Sequence, residues 1–234
     1  MIRILPILIL SMACSDVKSS GVNTSGIYAE ISAIVKPTNQ TDVKVVMRVG
    51  DASSNTFIEL DSGDSLEASD GISTEELGHS SFGSIHSYSE SFDTTDADTE
   101  FTINLKRELE TSAPSSVATL PADFSFTAPA DNTTHSRQDP LTISWDASAE
   151  SSDTMAIEAN GSCVFSINAE VPFNVGSYTI DPDEFESIGA EDTAESCELE
   201  IDLQRQKAGT LDPAYGSGLI FGGVLKTQTI RLDP

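Results

Sequence analysis

A two-residue alternation of apolar and polar side chains recurs along this chain and narrows its fold more than any other feature. Ile27, Ala29, Ile31 and Ala33 alternate with Tyr28, Glu30, Ser32 and Ile34. Val43, Val45, Met47 and Val49 share one parity opposite Lys44 and Arg48, and Phe101, Ile103 and Leu105 alternate with Thr102, Asn104 and Lys106. Successive side chains of an extended strand point to opposite faces, so this pattern fits half-buried strands rather than helices of 3.6-residue period. Thr56-Phe57-Ile58-Glu59-Leu60, Ser65-Leu66-Glu67-Ala68 and residues 85–92 read as further short strands. Lys36-Pro37-Thr38-Asn39-Gln40, Gly50-Asp51 and Asp61-Ser62-Gly63-Asp64 separate the strands as turns. Residues 70–83 are ambiguous, with Ser73-Thr74-Glu75-Glu76-Leu77 fitting one helical turn or a loop. Many short strands split by Gly, Asp and Asn turns predict an all-β sandwich fold.

The pattern breaks at Glu110-Thr111-Ser112-Ala113-Pro114-Ser115-Ser116, a small, polar, proline-bearing run that reads as a boundary between two units. Beyond it, Leu141-Thr142-Ile143-Ser144-Trp145 is a clear strand with the only tryptophan on the side of Leu141 and Ile143. Met155, Ile157 and Ala159 form the next strand, and Asn160-Gly161 signals a hairpin. Cys163, Phe165 and Ile167 share a face, as do Cys197, Leu199, Ile201 and Leu203. Tyr178 and Ile180 mark another strand, and after Gly222-Gly223 a closing strand runs through Ile230.

Phe124-Ser125-Phe126 ahead of a proline, followed by Leu141-Thr142-Ile143-Ser144-Trp145, resembles strands A and B of fibronectin type III and related immunoglobulin-like domains. The likeness covers about a third of the second unit. It departs from antibody-type domains, since Trp145 precedes both cysteines and Tyr178 is not placed as a tyrosine corner. The expected fold is all-β: two immunoglobulin-like or fibronectin type III-like β-sandwich domains in series after a signal peptide. The expected segments are a leader over 1–13, a flexible tether over 14–25, a first sandwich over 26–109, a linker over 110–117 and a second sandwich over 118–234.

The leader has one positive charge, Arg3, then an apolar run over 4–10, then small and polar residues up to Cys14. That is the layout of a secretory signal, and the run is far short of the roughly 20 residues a spanning helix needs. Leu10-Ser11-Met12-Ala13-Cys14 resembles the lipobox of bacterial lipoproteins, with Ser11 where leucine is usual. The resemblance implies acylation of Cys14, which would then begin the mature chain on a membrane. An ordinary cleaved signal with an incidental cysteine also fits. Ser15 after the cysteine, by the same resemblance, favours the outer membrane of a bacterial cell envelope. The chain as a whole resembles two-domain lipoproteins of proteobacteria, a likeness that implies no activity.

Cys163 and Cys197 are the remaining cysteines. In an exported chain such a pair reads as a disulfide closing a loop of about 35 residues, ahead of free thiols or half of a metal site. Both fall in apolar sets, as a buried bridge requires.

Asp and Glu number 38 against 12 Lys and Arg, a formal net charge of -26. Nucleic acid needs a basic stripe that this chain lacks, and anionic lipid would repel it. The charge suits solubility, cations or cationic partners, and an ordinary solvated surface accounts for it as well.

Catalytic groups are sparse. Gly78-His79-Ser80-Ser81-Phe82-Gly83 is near a nucleophile elbow, but its second glycine is one residue late and no strand-turn-helix context surrounds it. A glycine-serine loop explains Ser80 better. His86, in an alternating strand opposite Ile85, reads as exposed, and His135 lies in a polar loop. The spacing of the histidines matches no zinc triad. Asp93, Asp96, Asp98 and Glu100 could offer the oxygen ligands that calcium prefers, although EF-hand spacing is missing. The resulting expectation is a non-enzymatic envelope lipoprotein, held to a membrane by its lipid and serving as a structural, scaffolding or adhesive module toward an envelope protein or glycan. A calcium-dependent binding module is the alternative, and an envelope hydrolase the least favoured.

Overall fold

The computed structural model describes residues 15–148, 152–188 and 196–234. The leader over 1–13 and the acylation candidate Cys14 lie outside the described residues. Among those described, the regular structure is strand and short 3-10 turns, with no α-helix.

The first half forms β1 (Ser15–Lys18), β2 (Ile27–Val35), β3 (Thr41–Val49), β4 (Thr56–Glu59) and β5 (Ser65–Ser69). It continues with β6 (Thr74–Glu76), β7 (Gly78–Phe82), β8 (Ile85–Phe92), β9 (Glu100–Lys106) and β10 (Ala113–Thr119). The second half forms β11 (Phe126–Ala128), β12 (Thr134–Ser136), β13 (Leu141–Trp145) and β14 (Thr154–Gly161). Then follow β15 (Val164–Pro172), β16 (Ser177–Ile180), β17 (Cys197–Ala208) and β18 (Ser217–Asp233).

One 11-stranded sheet carries the order β1-β4-β3-β2-β18-β17-β14-β15, with β8, β7 and β12 attached off this path. Two smaller sheets, β10-β9-β5-β6 and β11-β13-β16, complete the all-β architecture. The alternation supplies the two cores. One gathers Ile27, Ile31, Val45 and Met47 of the large sheet with Leu66, Phe101, Ile103 and Leu105 of the four-stranded sheet. The other gathers Met155, Ile157, Leu199, Ile201 and Leu203 with Leu141, Ile143 and Trp145 of the three-stranded sheet.

The last strand belongs to both cores. Ile220 packs in the first, while Val224, Ile230 and Leu232 pack in the second, all on one parity of β18. Its first half pairs in parallel with β2, its end pairs in parallel with β12, and β17 runs antiparallel from Phe221 to Leu232. Gly222-Gly223 therefore lies inside a strand and does not interrupt it. The outgoing chain crosses here so closely that a Cβ on Gly222 would stand 2.1 Å from the Thr119 carbonyl oxygen. Glycine inside a strand marks such a backbone approach.

Several sequence expectations need correction. Residues 15–25, read as a tether, are built into the first core: β1 pairs in parallel with β4, and Ser19 and Thr24 are buried. Arg107 holds this segment. Its guanidinium donates to Asp64 Oδ2 at 2.6 Å, Thr24 Oγ1 at 3.0 Å, and the carbonyls of Ser19 and Val22 at 2.8 and 3.0 Å. The arginine and aspartate side chains are 1% and 3% exposed. Much of the stretch read as a linker is strand β10, paired with β9 and anchored where Asp212 accepts from the Ser115 amide and hydroxyl. Residues 73–77 are not helical, because β6 pairs with β5. Phe165 points outward and Val164 inward, since the hairpin register shifts between Ala159 and Gly161.

The disulfide expectation holds: Cys163 and Cys197 are bonded, with Cα atoms 5.8 Å apart, at the rim of the second core.

Candidate functional site

The most concentrated chemistry lies where strands diverge from one edge of β3. Along its first half β3 pairs with β8, from Thr41 opposite Phe92 to Val45 opposite Tyr88. At Arg48 the same edge takes Phe57 of β4. Continued inward, the two registers would put His86 opposite Met47 and Glu59 opposite Val46, so the strands meet and must fork. Polar side chains fill the fork. On the far edge of β4, β1 brings Asp16 opposite Phe57 and Lys18 opposite Glu59.

His86 is 6% exposed, against the expectation that it faces solvent. It shares parity with buried Tyr88 and Phe92, whereas Ile85 is turned outward. Its Nε2 lies 3.7 Å from Asp16 Oδ2 and 3.9 Å from Glu59 Oε2, and has no hydrogen-bond partner within the protein. Its Nδ1 is 3.0 Å from His79 Nε2, and the two rings lie within 15° of parallel. His79 also stacks on Tyr88, whose hydroxyl accepts the Leu60 amide at 2.7 Å. A groove of about 350 Å³ opens beside His79 and Tyr88.

Lys18 Nζ reaches Glu59 Oε2 at 2.6 Å. That hydrogen bond is the main reason the Lys18 ammonium is held above its usual pKa and Glu59 below the usual carboxylate range, with His86 and His79 adding to the Glu59 effect. Lys18 is more than half exposed, so this contact is worth little in stability by itself. Asp16, Glu59 and His86 each offer one ligand atom, all within 4.8 Å of one another.

The residues singled out from sequence are placed differently. Asp93 accepts from Gln40 at 3.1 Å, and Asp98 pairs with Lys207 at 2.9 Å across to β17. No three of Asp93, Asp96, Asp98 and Glu100 bring ligand atoms together as the His86 group does. Ser80 faces away from the imidazoles: alternation along the hairpin sets its hydroxyl 3.0 Å from Ser87. His135, expected in a loop, is the half-buried middle residue of β12 opposite Leu232, and its Nε2 lies 3.0 Å from the Asp139 carbonyl oxygen. A larger surface depression, about 550 Å³, lies along β14, β15 and β17 and includes Glu158, Glu170 and Asp202. It holds no such ligand grouping among the described residues.

Sequence reasoning missed this site for two reasons. Asp16 sits in a polar segment that reads as a tether, and alternation counted from Ile85 rather than from Tyr88 and Phe92 turns His86 outward. Parity with those two aromatics is the signal that would have turned His86 inward.

No protein-family model and no curated protein matches the chain. Among solved structures it is similar to fibronectin(III)-like modules of Clostridium thermocellum CbhA, at 11% identity over 88% of this chain and 90% of that one, with a TM-score of 0.27. It is also similar to the Yersinia pseudotuberculosis adhesin InvE, at 11% identity over 91% of this chain and 60% of the adhesin, with a TM-score of 0.23. Overlaps this loose carry no argument about function, and the all-β architecture stands on the strand pairing itself.

Proposed function

We propose that this chain is a non-enzymatic module of a bacterial cell envelope, held by a lipid on Cys14 to a membrane, the outer membrane by preference, and acting as a structural, scaffolding or adhesive piece. The supporting observation is the β17–β18 pair. Twelve registered positions, from Cys197 opposite Leu232 to Ala208 opposite Phe221, join the two strands along the second core, and β18 alone runs on past this ribbon to place Ile220 in the first core beside β2. At about 3.3 Å per residue, the 17-residue β18 spans about 55 Å, whereas most strands run near 17–20 Å. A single strand of this length, packed in both cores and backed by β17 over most of its course, resists bending between them, which suits a strut. The order of residues 15–25 refines the reading: only the peptide link at Cys14 separates the lipid from β1, so the folded body sits on the bilayer without a stalk.

The test is partition and protease release. The full chain, expressed with its leader in a bacterial host and extracted in Triton X-114, is expected in the detergent phase with an acylated N-terminal peptide by mass spectrometry. Cys14→Ser is expected in the aqueous phase. Limited proteolysis of intact membranes should not free the folded body by cutting within residues 15–25. Unacylated wild-type chain in the aqueous phase removes the anchor, and ready release by cuts in 15–25 restores the stalk.

A further inference from the structure

We propose that Asp16, Glu59 and His86 form a site for one divalent transition-metal ion of the Zn²⁺ type. One buried atom of this group is left unbalanced. A buried ring nitrogen is nearly always hydrogen-bonded, because leaving it unpaired forfeits its solvation. His86 Nε2 is buried without such a partner and is aimed between two carboxylates.

The distances suit an ion better than a direct hydrogen bond. At 3.7 and 3.9 Å the carboxylate oxygens stand too far from Nε2 to accept from it. Ligands about 2.0–2.2 Å from a tetrahedral ion are about 3.3–3.6 Å from each other, so the two contacts of His86 have only a few tenths of an ångström to close, and all three ligand atoms already lie within 4.8 Å. Asp16 and Glu59 are at least partly exposed, which leaves the remaining coordination position open to water.

The second ring nitrogen fits the same assignment. A ligating histidine characteristically gives its other N–H to a fixed acceptor, which sets the tautomer. With His86 Nδ1–H donating to His79 Nε2 across 3.0 Å, the lone pair of His86 Nε2 faces the carboxylates. Stacking on Tyr88 fixes His79 in turn.

The donor set also selects among cations. Calcium and magnesium seek six or more oxygens, and one imidazole with two carboxylates suits zinc and its neighbours. The Lys18 ammonium already sits on Glu59 Oε2, and its long exposed side chain can withdraw when a divalent ion arrives. An ion here would tie β1 to β4 and to the β7–β8 hairpin, clamping the strand two residues beyond Cys14.

The inference is independent of the proposed envelope role and has its own readout. The full chain, purified in detergent with a histidine-free tag, is titrated with Zn²⁺ by calorimetry and with Co²⁺ by visible absorption. One ion per chain is expected, with the intense d–d bands of a four-coordinate site. His86→Gln and Glu59→Gln should each weaken binding at least tenfold, and His79→Gln by about 10- to 100-fold as an orienting partner. Lys18→Met should tighten it, and Asp93→Asn should leave it unchanged. Nitrogen-15 spectra of the wild-type imidazoles guard against misfolded variants: the His86 Nε2 resonance must move on Zn²⁺ addition. No saturable binding, or a His86 resonance that stays in place, overturns the proposal and leaves an imidazole held between two carboxylates.

Discussion

The two cores lie on the same parity of one strand and each holds a largely buried Arg–Asp pair, yet the rest of what secures them differs. The first is pinned by charge. Arg107 spends its donors on Asp64, Thr24 and two backbone carbonyls, drawing the N-terminal segment against β5 and β9. The second has a charge pair of its own, Arg205 with Asp153 at 2.7 Å, and adds a covalent bond and aromatic packing. Trp145 donates to the Phe173 carbonyl at 2.7 Å, Phe124 meets Phe173 edge-on, and the Arg205 guanidinium lies 4.0 Å above the Phe173 ring centroid. A segment with few apolar residues, such as Ser19-Ser20-Gly21-Val22-Asn23-Thr24-Ser25, cannot be held by burial, so its carbonyls need a donor. The second core uses an arginine in the same way, Arg205 on Asp153 and the Ala122 carbonyl, and adds aromatic bulk and a bridge at its rim.

The comparison breaks most sharply at Arg107. Arg107→Met leaves Asp64 buried without its cation, a change of about 3–5 kcal/mol. Trp145, the only tryptophan, lies in the second core and reports it separately from far-UV circular dichroism, which sees both. Urea unfolding should move the dichroism midpoint down first, with Trp145 fluorescence lagging. Coincident shifts would show that the shared strand β18 welds the cores into one cooperative unit. Adding Asp64→Leu should restore much of the loss, because no charge then remains buried alone.

The reciprocal change is in the second core. The disulfide joins residues separated by 34 positions. Replacing both cysteines with alanine should cost about 3–4 kcal/mol on the chain-entropy account. Here Trp145 fluorescence should lead and dichroism follow. The reverse order would mean that aromatic packing, not the bridge, closes this core.

What the sequence made legible follows from the same physics. Period two exposed the strands of both cores, including the parity of Trp145, and placed both cysteines with the apolar set. It could not expose pairing between distant strands, so the parallel match of β18 with β2 was invisible, and Gly222-Gly223 looked like a break. A polar segment carries no periodicity when an arginine eighty-odd residues away satisfies its backbone, which is why residues 15–25 read as a tether. The calcium expectation began from carboxylates close in sequence, whereas the His86 group draws its members from three separate strands.

Acid should separate the cores more gently. In the first half, carboxylates held below their ordinary pKa include Asp51, by the Ser53 hydroxyl; Glu59, by Lys18; Asp61, by the Ser20 amide; and Asp98, by Lys207. Burial works against Asp70, but hydrogen bonds from Ser73, Thr94 and Ile72 outweigh it. Asp212, beside β10, follows the same balance through Ser115 and Ala214. In the second half, among the described residues, Asp233 is the resolved case, lowered by the Ser196 hydroxyl and then by Arg231. A carboxyl whose folded pKa is depressed adds stability above its unfolded value and loses it as pH falls through the folded one. The unfolded values are 3.8 for aspartate and 4.5 for glutamate, so the loss begins near pH 4.5 and deepens below it. These groups are mostly exposed, so each contributes little and the difference rests on their number. A titration in EDTA, which keeps metal off Glu59, should show the dichroism change at higher pH than the Trp145 change. Relief of the shared negative charge acts on both cores and does not create that gap. Substituting Asp61→Asn and Asp98→Asn together should narrow it, and a gap that stays the same would assign the acid response to groups outside this set.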